Sequence, residues 1–265
     1  MAMSEASRAA FDTWPQWRLP LGEPPTLIRR LGGGLTNELF LLKASGLRLV
    51  MRVNAGQTIT GVDRLREHKI LNQIQGRPFA PVVFHCDPEQ RVLVTQYIEG
   101  YHWQPEDLAD SEKMDRLVRL VGQIQQHGEG IPRFDYLGCL RDYWQQLLES
   151  NKPFPMAAHR LYKSIEERLS SSPLSAGEGN GKTVLCHHDL TPANIIETEA
   201  GELMVLDWEY AGLGSNLIEA LWLARYWQAP DLSVRIAGRD ASEESLSLAR
   251  AIVEFYDLAW SLIRS

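Results

Sequence analysis

Short apolar runs separated by turn residues fill the first hundred positions of the chain, and this pattern predicts a small β-sheet. Apolar runs at 27–28 and 39–42 lie on either side of three consecutive glycines. After a turn at Ser45-Gly46, every second residue of 47–53 is apolar, so these side chains share one face of a strand. Residues 91–100 begin with a further apolar run and predict a strand that leads into a connector.

A helical period replaces this alternation at residues 61–71 and becomes dominant from about residue 101. Residues 115–126 and 139–149 carry apolar side chains at three- and four-residue spacing, which predicts amphipathic helices. A last helix is predicted from about Asp240, where Asp240 and Glu243 resemble a capping box. In the helix predicted at residues 61–71, the apolar stripe consists of Val62, Leu65 and Ile70 or Leu71.

Two stretches interrupt the helical pattern. Residues 170–182 are rich in Ser, Gly and Pro and predict a loop. The apolar pairs at 195–196 and 203–206 predict a hairpin that returns Asp207 to the side of Asn194.

Composition narrows the class of protein. A chain of 265 residues, 44% of them hydrophobic, can bury one large or two small cores. A net charge of -7 provides no basic surface for nucleic acid or an anionic membrane. Three widely spaced cysteines do not suggest a disulfide-stabilised fold. The sequence shows neither the pattern of a signal peptide nor an apolar run of transmembrane length. We expect a soluble, cytoplasmic protein that binds a small molecule, with no nucleic-acid or membrane partner, as a monomer or weak dimer.

The strongest chemical signal is the pattern H-x-D-x-x-x-x-N at residues 187–194, followed by an apolar strand that ends in Asp207. This order of parts suits a kinase that moves a phosphoryl group from ATP to a hydroxyl. Asp189 would accept the hydroxyl proton, while Asn194 and Asp207 would supply hard oxygen ligands for Mg²⁺. His187 is expected to brace the loop. Two plainer interpretations remain, namely a His-His-Asp metal site and an Asp207 that merely opens a turn.

The sheet region adds candidates for nucleotide binding. Gly32, Gly33 and Gly34 would let the backbone approach phosphate groups. Arg52 lies on the third strand, where a cation would grip the ATP phosphates, and Glu67 is its candidate ion-pair partner. Each also has a plainer interpretation: a glycine hairpin turn, a solvated strand arginine, and a surface ion pair of little energetic value.

Together these motifs resemble the aminoglycoside phosphotransferase and choline kinase-like superfamily of small-molecule kinases. The resemblance implies an α+β, bilobal protein-kinase-like fold. It places a small antiparallel-sheet N-lobe that binds nucleotide at residues 1–98 and a mostly helical C-lobe for catalysis and substrate binding at 99–265. The matching segments are 32–37, 51–53, Glu67, 185–194 and 206–212.

Finer features resemble the choline and thiamine kinase branch, because Arg replaces Lys at position 52 and Asp-Trp-Glu-Tyr stands at 207–210. Residues 143–146, and Glu219 where choline kinases usually carry Asp, are most similar to bacterial thiamine kinase. The resemblance implies ATP and Mg²⁺ as cofactors. It adds three nucleotide-binding candidates, namely Asn37 and the backbone groups of Gln96 and Ile98.

The predicted acceptor site combines Asp189 with Trp208, Glu209 and Trp222, since aromatic faces and a carboxylate suit an organic cation. Trp222 and Tyr226, four residues apart on a helix, would equally suit core packing. The resemblance implies phosphorylation of a small cationic alcohol, with thiamine first and choline or ethanolamine next. An aminoglycoside kinase and a non-catalytic, nucleotide-binding pseudokinase are the remaining alternatives.

Overall fold

Two units divide the chain in the computed structural model, one formed by Met1–His102 with Asn194–Glu209 and the other by Trp103–Ala193 with Tyr210–Ser265. The sequence predicts a single boundary near residue 98, whereas the structure assigns 194–209 to the first unit. That segment pairs with the first unit's own backbone, since the Val205 N–H donates to the Phe79 carbonyl at 2.7 Å. The structure describes residues 3–19, 22–32, 37–54, 60–89, 91–150, 153, 155–171 and 182–264.

An antiparallel sheet with the spatial order β1-β2-β3-β5-β4 dominates the first unit. Its strands are β1 (Thr26–Gly32), β2 (Asn37–Ala44), β3 (Leu47–Asn54), β4 (Val83–Asp87) and β5 (Val92–Gln96).

The turn between β2 and β3 confirms the predicted hairpin. Ser45 and Gly46 have φ values of 46° and 82°, the left-handed geometry that two-residue hairpin turns require. Leu49 and Met51 of β3 are fully buried against helix α1 (Glu5–Phe11), as the alternation predicts, while Leu47 at the strand's start is exposed.

Helix α2 (Arg64–Ile74) confirms the helix predicted at 61–71, but its inward face differs from the predicted stripe. Asp63 caps the helix by accepting the Arg66 N–H at 3.0 Å. Leu65 is 66% exposed, whereas Glu67 is buried. The helix turns a charged side chain inward because Glu67 meets Arg52 of β3 there.

A second, three-stranded sheet of the first unit has the order β6-β8-β9. It consists of β6 (Tyr101–His102), β8 (Ile195–Glu197) and β9 (Leu203–Val205). The β8–β9 pairing confirms the predicted hairpin.

The second unit is mostly helical. It contains α3 (Ser111–Gln125), α4 (Tyr136–Glu149), α5 (Met156–Ser171), α6 (Asn216–Tyr226), α7 (Asp231–Ala237) and α8 (Glu243–Arg264), with the strand pair β7 (Thr183–Cys186) and β10 (Gly212–Ser215). Helices α4, α5, α6 and α8 share one hydrophobic core. Among the described residues, none of the helices has both the length and the apolar character needed to cross a bilayer.

The predicted helices at 115–126 and 139–149 are confirmed, each with an earlier start. The predicted capping box of the last helix is wrong. Helix α8 begins at Glu243, and the Ser242 hydroxyl caps it by accepting the Ser245 N–H at 3.2 Å. Most of the predicted loop at 170–182 lies outside the described residues.

Candidate active site

Strand β7 leads directly into the loop that carries Asp189. His188 adopts a left-handed backbone with φ 60°, a strained conformation for a residue other than glycine that is characteristic of functional sites. The Thr191 N–H donates to the Asp189 carbonyl at 2.8 Å and closes the turn. The Asp189 side chain is half-buried, so its carboxylate keeps an accessible surface.

A buried carboxylate from α6 holds this loop. Glu219 accepts the backbone N–H groups of His187 and His188 at 2.8 and 2.9 Å, and it is 3% exposed. Burial raises the pKa of Glu219 to about 7, although both hydrogen bonds act to lower it. The sequence marks Glu219 only as a departure from choline kinases, because no local motif connects it with a loop some 30 residues earlier.

The imidazole of His188 connects the loop to α4 and to the segment just before β10. Its Nδ1 lies 3.1 Å from the Tyr210 carbonyl, which only accepts, so Nδ1 carries the proton and Nε2 accepts from the Tyr136 hydroxyl at 2.7 Å. A Cβ on Gly214 would lie 2.4 Å from the Tyr136 oxygen and 2.7 Å from His188 Nε2, so this contact requires glycine. The predicted bracing residue His187 also contacts the loop, since its Nδ1 accepts the Asp189 N–H at 3.3 Å.

Asp189 lines a cavity of about 270 Å³ within the second unit. Trp222, one of the predicted substrate residues, lines the same cavity, and its ring centroid lies 5.5 Å from that of Tyr256. Burial, followed by the negative charge of Asp189, raises the pKa of Tyr226 to about 12, so this phenol stays protonated. Further aromatic walls come from Phe134, Tyr143, Tyr210 and Trp260.

Arg52 is the centre of an ion network within the first unit. Its Nη2 lies 2.6 and 2.7 Å from the two carboxylate oxygens of Glu67, which confirms the predicted ion pair. Its Nη1 donates to Asp207 Oδ1 at 2.9 Å. Burial alone would raise the pKa of Glu67, but the guanidinium groups of Arg52 and Arg64 outweigh it and lower the pKa. Arg52 thus joins a strand, a helix and the Asp207 segment.

Glu209 belongs to the same network. Its Oε2 accepts from Arg64 Nη1 at 2.9 Å and from Asn37 Nδ2 at 3.1 Å. The sequence assigns Glu209 to the acceptor and Asn37 to the nucleotide, whereas the structure joins both to Arg64 in the first unit. Trp208, also predicted to bind substrate, is 1% exposed, and its Nε1 donates to the Val205 carbonyl at 3.1 Å. Trp208 is therefore a core residue with no ring face open to a ligand.

Asp207 and Asn194 lie close together, as the predicted hairpin requires, because the Leu206 N–H donates to the Asn194 carbonyl at 2.9 Å. Asp207 has φ 60° and a side chain that is 37% exposed within this otherwise buried network. Burial, followed by the charge of Glu209, raises the pKa of Asp207 to about 6, while Arg52 opposes the shift. Asp207 offers a partly exposed carboxylate, and Asn194, whose backbone pairs with that of Leu206, carries an amide oxygen. Both residue types fit Mg²⁺, which prefers hard oxygen ligands.

The other predicted nucleotide ligands are only partly placed. Gly32 is the last residue of β1, while Gly33 and Gly34 lie outside the described residues. The Gln96 N–H donates to the Val82 carbonyl at 2.9 Å, so a contact of Gln96 with adenine would have to use another atom. Ile98 follows β5 in an irregular segment, and its predicted contact stays a prediction.

Two known proteins with similar sequences are protein LicA and thiamine kinase. The chain is 27% identical over 197 residues to protein LicA of Haemophilus influenzae, covering 71% of this chain and 54% of LicA. It is 26% identical over 204 residues to thiamine kinase of Escherichia coli (strain SMS-3-5 / SECEC), covering 74% of this chain and 66% of that protein. The chain therefore spans roughly half to two thirds of these relatives.

Two solved structures confirm the predicted kinase-like α+β fold. Choline kinase LicA from Streptococcus pneumoniae matches with a TM-score of 0.72 and 20% identity, over 90% of this chain and 86% of that one. A structure of LicA in complex with AMP matches with a TM-score of 0.76 and 18% identity, over 99% and 91% of the two chains.

The family match covers most of the chain. Residues 27–254 match the phosphotransferase enzyme family, a range that contains the Arg52 network and Asp189. Three residues that line the Asp189 cavity, namely Tyr256, Asp257 and Trp260, lie after the matched range. The chain belongs to the phosphotransferase enzyme family.

Proposed function

We propose that this protein is a kinase that transfers the γ-phosphoryl group of ATP to the hydroxyl of a small cationic alcohol, with thiamine as the first candidate. The observation that carries the proposal is the cavity of the second unit, where the Asp189 carboxylate shares the walls with aromatic rings. Family membership supports the type of reaction, and the aromatic walls support a cationic acceptor.

Asp189 is the proposed general base. It accepts the proton of the acceptor hydroxyl as the oxygen attacks phosphorus, a role that typically contributes a factor of ~10² to 10⁴. Glu219 and His188 fix the backbone on its N-terminal side, so the carboxylate is presented in a restricted orientation. The strained φ of His188 is consistent with a loop held for function.

Arg52, Asn194 and Asp207 are the proposed ligands of the nucleotide and its metal ion. Arg52 Nε is buried and has no hydrogen-bond partner among the described residues, so a phosphate oxygen that reached it would satisfy this donor. Asp207 and Asn194 offer oxygen atoms for Mg²⁺, which when bound would neutralise charge on the ATP phosphates. The AMP complex of LicA supports a nucleotide as the second substrate.

The size of the cavity favours a small acceptor. Pockets for drug-sized ligands typically enclose about 300–1,000 Å³, and this cavity of about 270 Å³ lies just below that range. An aminoglycoside is larger, so an antibiotic kinase ranks behind thiamine, choline and ethanolamine. The relative named thiamine kinase supports thiamine, and the structure named choline kinase supports choline as the alternative. A pseudokinase is the least favoured alternative because Asp189, Asn194 and Asp207 are all present.

The test is magnesium-dependent release of ADP from ATP in the presence of thiamine, choline, ethanolamine or kanamycin. We expect turnover on at least one of the three small cations and a loss of ~10²-fold or more in Asp189→Ala. Asp142→Ala, which removes an exposed aspartate on α4, is the matched control and should retain turnover. ATP binding, measured by calorimetry, should persist in both variants.

Three outcomes would contradict parts of the proposal. Near wild-type turnover in Asp189→Ala would remove Asp189 from the role of base. Turnover on kanamycin alone would identify an antibiotic kinase. ATP binding without acceptor-dependent turnover would favour the non-catalytic alternative.

A further inference from the structure

A second carboxylate lines the acceptor cavity. Asp257 on α8 contributes to the same walls as Asp189, and its side chain is 20% exposed. It directly follows Tyr256 and lies three residues before Trp260, so α8 presents a carboxylate between two of the aromatic walls. No motif in the sequence marks Asp257, and the proposed phosphoryl transfer does not use it.

The charge of Asp257 is compensated by a neighbouring helix. Arg225 on α6 forms an ion pair through its Nε with Asp257 Oδ2, and 54% of the arginine side chain is exposed. A carboxylate has about four lone-pair sites, so this pair leaves capacity to accept further hydrogen bonds. The guanidinium of Arg225 reduces the net negative charge that Asp257 presents to a ligand in the cavity.

A compensated carboxylate distinguishes two kinds of organic cation. A quaternary ammonium has no N–H group and gains only from net charge, which Arg225 diminishes, and from aromatic faces. A primary or secondary ammonium, or an aromatic amine, also donates a hydrogen bond to the carboxylate. Such a bond to a charged group changes affinity by roughly tenfold to a hundredfold. The aromatic walls attract both kinds and discriminate little between them.

We propose that Asp257 determines acceptor specificity by selecting cations that carry an N–H donor over quaternary ammonium alcohols. This inference rests on the proposed kinase function and narrows its substrate class. Asp189 does not make the same selection, because its assigned partner is the acceptor hydroxyl. Thiamine meets the criterion through the amino group of its pyrimidine ring, and ethanolamine meets it through its ammonium group.

The sharpest test is the series ethanolamine, N-methylethanolamine, N,N-dimethylethanolamine and choline, which keeps the hydroxyl and removes one N–H group at each step. We expect kcat/KM to fall along the series, with ethanolamine preferred over choline by about tenfold or more. In Asp257→Ala the ratio of kcat/KM for ethanolamine to that for choline should fall toward one. Both values should decrease because the guanidinium of Arg225 is then uncompensated, and the value for ethanolamine should decrease more because the hydrogen bond is also lost. Asp257→Asn keeps a neutral acceptor and should retain an intermediate preference.

Two further variants separate the hydrogen bond from the charge. Arg225→Gln removes the compensating guanidinium, so kcat/KM for choline should rise. The ratio of kcat/KM for ethanolamine to that for choline should therefore decrease. Glu254→Gln changes an exposed acid on the same helix and should leave the whole series unchanged. A wild-type protein that prefers choline, or an unchanged ratio in Asp257→Ala, would overturn the inference.

A binding measurement keeps this test separate from the kinase proposal. Calorimetric titration of each amine into the protein measures its binding and requires no turnover. If no acceptor is phosphorylated but ethanolamine still binds more tightly than choline in an Asp257-dependent manner, the kinase proposal fails and the assignment of Asp257 stands. Equal binding of the two amines to the wild-type protein would overturn the assignment of Asp257.

Discussion

Two buried glutamates, one in each unit, show how differently the two regions handle charge. Glu67 is 2% exposed and contacts the guanidinium groups of Arg52 and Arg64, which together outweigh burial and lower its pKa. Glu219 is also buried but accepts backbone N–H groups, those of His187 and His188, and has no cationic partner among the described residues; burial raises its pKa to about 7. Full positive charges offset the loss of hydration, whereas two backbone dipoles do not.

The difference matches the proposed task of each region. The first unit concentrates arginine and carboxylate side chains around Arg52, an arrangement suited to phosphate groups and a metal ion. The second unit places Asp189 and Asp257 among aromatic rings, an arrangement suited to a weakly hydrated organic cation. Charged side chains cluster around Arg52 in the first unit, whereas aromatic rings predominate around Asp189 in the second.

The largest effect is expected from Arg52→Ala, which tests whether the pairing in the first unit is needed for stability. The substitution leaves Glu67 buried with only Arg64 as a cationic partner, and breaking a buried ion pair from one side typically costs ~3–5 kcal/mol. Urea denaturation should show this loss, whereas Arg29→Ala on the exposed face of β1 should change stability by less than ~0.5 kcal/mol. A loss below about 1 kcal/mol would mean that the network is solvated and the contrast with Glu219 does not hold.

Glu219→Gln tests the other side of the comparison through the pH dependence of stability. The pKa of Glu219 is about 7 in the folded protein and 4.5 for an ordinary glutamate, so the folded state binds more protons than the unfolded state between these two pH values. The free energy of unfolding should therefore fall as pH rises from 4.5 to 7, by roughly 3 kcal/mol at most from this group. Chemical denaturation from pH 5 to pH 8 should show a shallower decline in Glu219→Gln than in the wild type or in Glu254→Gln. Parallel curves would show that Glu219 does not titrate in this window.

The sequence predicted the first region better than the second. Arg52 and Glu67 stand at motif positions on a recognisable strand and helix, so their pairing could be predicted. The hairpin likewise brought Asp207 to Asn194. By contrast, Glu209 was assigned from its sequence neighbours, and its actual partner Arg64 lies 145 residues away. Local spacing indicates which residues are polar but cannot identify a distant partner.

The acceptor cavity is even harder to predict from local sequence spacing. Its walls come from α4, α6 and α8 and from the loop after β7, and only the packing of these helices brings them together. The helical period predicts that Trp222 and Tyr226 suit core packing, yet it does not reveal that they line a space beside Asp189. The sequence gives no functional signal for Asp257, because one aspartate on an amphipathic helix is typical of a solvated face.

The smallest effect is expected from Tyr226→Ala, which tests whether an aromatic side chain of the second unit contributes to binding of the cationic acceptor. Tyr226 lines the cavity and lies near enough to Asp189 for that charge to raise its pKa. If its ring contacts the acceptor, Tyr226→Ala removes a cation–π contact worth ~0.5–2 kcal/mol, so KM for the cationic acceptor should rise about two- to thirtyfold. KM for ATP should not change, because the proposed nucleotide ligands belong to the Arg52 network. Tyr226→Phe keeps the ring and should restore acceptor binding, and Tyr101→Ala, which removes an exposed aromatic residue of the first unit, should change neither constant. An equal rise in both KM values would mean that the substitution disturbs the fold generally, and the division of labour between a charged and an aromatic region would lose its support.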